Sequence, residues 1–430
     1  MRPALQLAPL MGVVFELLTG CVFARAQNSL TNAPLTLTAA VRFAVRDNAE
    51  LASLRARQDA MRERPARVRG LPNPVFTYSG MDAVNGGAWP DTGEKRFMVQ
   101  QEFPWFGKRA LREGIAVKDA EALQREIESL TQEVVMMVKE VCFDLNAVQQ
   151  VMVITVEEQA VVRRMAEVAG TIYATGDRSQ VDVLKALTEV TMLKQKLLEA
   201  QVQENTLKAR LNTLLNRRAD DPVAIAVTLP ESGFNRNIEK LFSVAATNRP
   251  EVQTAQVQVE RYELEKQLMR KDSAPDYKLG LEYREFAASD DMVMFTLSVD
   301  LPLWRAKNRA GVREAENMRV SSQAARKAAE RQSAFDVQDA VFKLQAAGRT
   351  LELYRTELIP QAAARFSASE AGYRTGKLDF MDLLESERFL LNAKIMAAMA
   401  EGTLGMQSAR LERAVGAALP TNIPQESVVK

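Results

Sequence analysis

Histidine is missing from this chain of 430 residues, and cysteine occurs only twice. The first absence removes the commonest metal ligand and the commonest general base, which counts against zinc-enzyme and most hydrolase chemistries. The two cysteines, Cys21 and Cys142, sit in different settings and make no disulfide framework. Charge imbalance is lacking too. Against 56 Lys and Arg stand 55 Asp and Glu, so no global field points to nucleic acid as a partner. Beyond the N-terminal segment, no stretch supplies the roughly 18–20 uninterrupted apolar residues of a membrane-spanning helix. If the chain crosses a membrane, it must do so as strands. No nucleophile–base pair, phosphate loop or metal cluster is legible, so neither an enzyme nor a cofactor is expected.

The N-terminus reads as an export signal. Arg2 supplies the positive start, and ALQLAPLMGVVFELL supplies an apolar run interrupted by Glu16. Two exits stay open. Ala24-Arg25-Ala26 is an A-x-A site that would end a signal peptide at residue 26. Leu18-Thr19-Gly20-Cys21 resembles a bacterial lipobox, which would make Cys21 a lipidated N-terminus.

What the chain does have is a repeat. YATGDRSQVDVLKA (173–186) returns as YRTGKLDFMDLLES (373–386), and VQQEFPWFGKRA (99–110) returns as LSVDLPLWRAKNRA (297–310). VKEVCFDLNA (138–147) returns as VQDAVFKLQA (337–346), and AAVRFAVRDNAEL (39–51) as LFSVAATNRPEV (241–252). Four landmarks in one order predict two equivalent halves over 38–220 and 237–417, followed by a tail over 418–430. Each half reads as a helix (38–69, then 237–271), a β-hairpin (74–104, then 276–302) and a long helix pair. Between Gly107 and Asp221 there is no proline, and Gly176 falls near the middle. This predicts helices of about 60 and 40 residues that reverse at the glycine. Val134, Val138, Val141, Leu145, Val148 and Met152 make a coiled-coil seam, continued by Leu207, Leu211 and Leu214. Cys142 lies beside that seam and reads as packing. Pro360 predicts a local break in the second long tract.

The hairpins alternate. Val293, Phe295, Leu297, Val299 and Leu301 interleave with Met294, Thr296, Ser298 and Asp300. Tyr277, Leu279, Leu281 and Tyr283 interleave with Lys278, Gly280, Glu282 and Arg284. Phe97, Val99 and Phe103 lie opposite Met98, Gln100 and Glu102, although Gln101 breaks the apolar face. A period of two places one face in an apolar medium and the other in a polar one, which makes Lys278, Glu282 and Arg284 lumen candidates. Lengths near 9–11 residues suit tilted membrane-crossing strands, though a half-buried soluble hairpin would alternate in the same way. Four strands cannot close a barrel, and open edges are not tolerated in lipid. A membrane reading therefore requires several copies of the chain.

The repeat, the paired Tyr-x-Thr-Gly phrases followed by Asp182 and Asp382, and the hairpins opening each long helix pair resemble the TolC-like outer-membrane efflux channels. QEFPWFGKR (101–109) resembles their heavy-metal, CusC/CzcC-like branch. The resemblance implies a fold that is mainly α with a transmembrane β part. In a homotrimer, four strands per chain would complete a twelve-stranded β-barrel set in outer-membrane lipid. Long antiparallel coiled-coil helices would form an α-barrel reaching into the periplasm. It also implies a passive efflux conduit, docked by a periplasmic adaptor onto an inner-membrane pump of the proton-driven RND type. Tyr173, Thr175 and Gly176, like Tyr373, Thr375 and Gly376, would form the helix-hairpin turns at the periplasmic end and contact the adaptor, the tyrosines packing across the reversal. Asp379, Asp382 and Glu385 are spaced to share a helical face. In the family, the positions matching Asp382 and Glu385 line the periplasmic aperture, where three copies would stack carboxylate rings that attract cations. In the first half Asp182 matches Asp382, but Lys185 replaces Glu385, which predicts ion pairs that help hold the mouth closed. Leu378 stands where some family members carry a gate-locking arginine. The alternative is a soluble periplasmic coiled-coil scaffold or adaptor, which leaves the alternating aromatic strands unexplained.

Overall fold

The computed structural model describes residues 34–81, 94–174, 179–227, 238–286 and 289–417. The signal peptide, Cys21, Thr175, Gly176 and the C-terminal tail lie outside the described residues. Strand β1 (Leu35–Thr36) leads into α1 (Leu37–Asp47), where the Thr36 hydroxyl accepts from the Ala39 N–H. Helix α2 (Ala49–Arg69) follows after a single residue, so the continuous helix expected over 38–69 is broken at Asn48. The Asn48 backbone is extended, and its side chain accepts from the N–H groups of Glu50 and Leu51, which starts a new helix. Strands β2 (Val75–Met81) and β3 (Glu94–Phe103) come next, then α3 (Lys108–Ala174) and α4 (Gln180–Leu214). At 67 residues, α3 is about 100 Å long. A short β4 (Ile225–Ala226) pairs in parallel with β1.

The second half repeats this order. Helix α5 (Ile238–Asn248) breaks before α6 (Pro250–Lys271), where Pro250 occupies the first turn and has no N–H to leave unpaired. Strands β5 (Asp276–Phe286) and β6 (Met292–Asp300) lead to α7 (Arg305–Leu353). The break expected at Pro360 begins earlier, as a π-helical turn over Tyr354–Leu358 that precedes α8 (Ile359–Arg374). Pro360 cannot donate to the carbonyl four residues back, and its ring crowds that carbonyl, so the preceding turn widens. Helix α9 (Phe380–Val415) closes the described chain. Each element of the first half thus has a counterpart about 200 residues on, although the unbroken α3 corresponds to α7 and α8 together.

The two hairpins join in one antiparallel sheet of order β2-β3-β5-β6, with Phe97 opposite Tyr283 and Phe103 opposite Tyr277. Its outer edges, β2 and β6, have no partner strand among the described residues. Phe76, Val99, Leu281 and Phe295 stand in one register row across all four strands, and all four are exposed, at 64, 48, 57 and 68%. The neighbouring row, Thr77, Met98, Glu282 and Met294, faces the other way. Gln101, the polar residue on the apolar face, donates to the carbonyls of Pro72 (2.7 Å) and Glu102 (2.9 Å), so its amide is satisfied locally.

The expected seam is the core of the first half. Val134, Val138, Val141, Leu145 and Val148 are buried with Leu207 and Leu211 of α4, and Met152 packs on the cluster. Cys142 belongs to the same cluster, where burial pushes its thiol up to about 12. Lys108, at the head of α3, is buried and reaches Asp276 at 3.0 Å and Asp272 at 3.6 Å. Asp276 also accepts from the Trp105 N–H at 2.6 Å. One carboxylate thereby ties the first long helix to the hairpin of the second half.

Candidate functional site

The turn between α8 and α9 is built by its hydrogen bonds. Lys377 N–H donates to Gly372 O (2.9 Å) and Gly376 N–H to Tyr373 O (3.1 Å), the paired bonds that close a helix through a left-handed residue. That residue is Gly376, with φ +75. Leu378 folds back over Gly372 so closely that a Cβ there would lie 2.7 Å from its Cδ1. The position that might have carried an arginine instead plugs the reversal with an apolar side chain. Tyr373 is buried, 5.5 Å from Phe380 in an edge-on contact across the turn.

The two tyrosines do not share a role. Tyr373 packs across its reversal as the repeat predicts, whereas Tyr173 is 46% exposed. The difference lies one helix on: Gln180 begins α4 where Phe380 begins α9, so Tyr173 has no aromatic partner at that position.

The acidic face divides by task. Asp379 caps α9, its side chain accepting from the Asp382 N–H at 2.9 Å, and that bond holds its carboxyl below the usual range. Asp382 and Glu385 are exposed on the first turns of α9. The Glu385 side chain remains 71% exposed while meeting Arg365 of α8 at 3.2 Å. In α4, Lys185 lies 3.9 Å from Asp182 and close enough to Asp379 to stabilise its charge. The ion pairs expected of Lys185 are therefore with Asp182 and the cap, and the cation beside Glu385 is Arg365.

A second set of acids was not singled out by sequence reading. Glu158 of α3, Glu189 of α4 and Glu387 of α9 are all buried. Lys394 reaches Glu158 at 3.2 Å, and Arg388 bonds Glu189. Glu387 has no hydrogen-bond donor for either oxygen among the described residues. Burial, with the Glu158 and Glu189 charges alongside, pushes it up to about 8. One signal could have exposed it. Phe380, Leu383, Leu384, Glu387, Leu390 and Leu391 follow helical spacing, so Glu387 stands within an apolar stripe.

On the polar face of the sheet, Arg284 meets Glu282 at 2.5 Å and Glu94 at 3.7 Å, while Lys278 meets Asp300 at 3.3 Å. The three lumen candidates thus share one face, each charge paired. No helix of the described residues is long and apolar enough to cross a membrane.

Residues 241–417 match the family of outer membrane efflux proteins. The match spans the second half of the chain. The cobalt-zinc-cadmium resistance protein CzcC of Cupriavidus metallidurans is 22% identical to this chain over 387 residues, covering 89% of this chain and 90% of CzcC. Among solved structures, CusC superposes with a TM-score of 0.76 at 14% identity, covering 91% of this chain and 96% of that one. VceC of Vibrio cholerae gives 0.73 at 17% identity, covering 89 and 96%. The chain therefore has the fold of these solved proteins.

Proposed function

We propose that this chain is the passive outer-membrane conduit of a tripartite system, working as a trimer and exporting heavy-metal cations. The observation that carries the reading is the sheet: an apolar face turned outward across four strands, with both edges open. Lipid tolerates no open edge, so β6 of one copy must pair with β2 of the next until a barrel closes. Three copies give twelve strands. The long helices support the same assembly, since Leu184, Leu187, Leu198 and Val202 of α4 and Phe335 and Phe342 of α7 are exposed at helical spacing. A soluble scaffold would leave both the sheet face and these stripes in water.

At the periplasmic mouth, Asp382 and Glu385 supply one carboxylate ring each per trimer. Rings of this kind attract cations and repel anions, and their field is focused by low-dielectric walls. Arg365 partly neutralises Glu385, and Lys185 holds Asp182 beside the Asp379 cap, so widening the mouth must loosen these contacts. Heavy-metal cargo is supported by the likeness to CzcC. An adaptor gripping the Tyr173 and Tyr373 turns, and an RND pump behind it, would supply the drive, because this chain offers no chemistry of its own. Planar-bilayer conductance tests the reading, comparing wild type with the double variant Asp382→Asn/Glu385→Gln. A cation-selective conductance whose selectivity falls in the variant is expected. Unchanged selectivity in a conducting variant would place the filter elsewhere.

A further inference from the structure

Where the sheet meets the helices, the surface changes character abruptly. Trp304, Leu303 and Phe106 are exposed at 76, 72 and 71%, directly after the strands end. Within a few residues of this apolar belt come Arg67 at the end of α2, Arg112 in α3, Arg270 at the end of α6, and Arg305, Lys307 and Arg309 opening α7. All six cations are exposed, and none makes an ion pair among the described residues. Deeper along the helices, Lys266 and Arg319 both hold Glu316, while within the collar Arg69 holds Glu113. The first turn of α7 contains no acid, so its cations also lie against the helix dipole. At about 1.5 Å per residue, the collar lies within about 10 Å of the belt, the depth of a headgroup layer below the hydrocarbon.

We infer that this collar binds the phosphate groups of anionic phospholipids in the leaflet facing the helices, with Trp304, Leu303 and Phe106 set among the adjoining acyl chains. The inference rests on the membrane reading above. Arginine forks suit phosphate oxygens, aromatic side chains suit the interface, and each basic residue near a charged leaflet adds to the attraction. An acidic protein partner would match the charge but would not need the apolar belt beside it.

The test uses the full-length protein and the variant Arg305→Gln/Lys307→Gln/Arg309→Gln, whose side chains are exposed and outside the core. Both are reconstituted into vesicles of phosphatidylcholine alone and of phosphatidylcholine with one-third phosphatidylglycerol. They are then re-extracted, and the lipid that stays bound is counted by headgroup. The wild type is expected to retain phosphatidylglycerol at least about threefold above its bulk share, and the variant to lose that enrichment while inserting equally well. Equal enrichment in both, or bound lipid matching the bulk in the wild type, would overturn the inference and leave the membrane reading standing. Failure of the wild type to insert into either vesicle would overturn both.

Discussion

Replacing Glu387 with glutamine should remove most of the pH dependence of the helices around it. The unfolded chain holds this carboxyl near 4.5, and the folded chain holds it near 8. A folded value raised above the unfolded one means stability that is fully present below about pH 4.5, declines as pH rises, and is gone above about pH 8. Each pH unit inside that window costs about 1.4 kcal/mol, so moving from pH 5.5 to 8 costs about 3 kcal/mol. With no histidine in the chain, no side chain of ordinary pKa titrates there to mask the effect. The charged groups that face Glu387 are Glu158 with Lys394, and Glu189 with Arg388. A glutamine keeps the shape and can donate to Glu158, but it cannot ionise. Hydrogen exchange of the 383–391 amides, corrected for intrinsic rates, reads local opening directly. Wild-type protection should fall roughly 150-fold between pH 5.5 and 8, while the variant should change little. A variant that loses protection as steeply as wild type would refute the assignment, as would a wild type that shows no loss.

Two further substitutions probe the joints. Lys108→Met removes the buried cation that holds Asp276 and Asp272, and leaves Asp276 facing an apolar side chain. A loss of about 2–4 kcal/mol is expected, read as a lower melting temperature in detergent, with Asp276→Asn in the same background recovering part of it. Gly376→Ala forces a Cβ into a left-handed turn in otherwise open space, at about 1 kcal/mol, and should loosen amides near 372–382 without altering the sheet.

The features legible in the sequence were those with a period. Alternation in the strands and the valine–leucine seam appear in the structure at the expected residues, because a face in lipid or in a coiled coil constrains every second or every third to fourth position. Features set by a partner on another element were not legible. Asn48 fits an uninterrupted helix by composition, and only its capping geometry shows that it begins one. Tyr173 and Tyr373 look alike until Gln180 and Phe380 are seen opposite them. Glu158 and Glu189 resemble ordinary surface charges, Glu387 alone stands within an apolar stripe, and only helix packing brings the three together. For the aperture acids, spacing predicted a shared face, but one of the three is spent on the helix cap.

The sheet order carries a genetic consequence. Among the described residues its free edges are different strands, β2 on one side and β6 on the other, so in the proposed trimer the contact between copies is head to tail and cannot end in a self-complementary pair. A copy spoiled at either edge would still accept a neighbour on its intact side and leave the ring open on the other. Such an allele should be dominant-negative. In a cell making spoiled and sound chains in equal amounts, about one three-membered ring in eight would contain sound copies only.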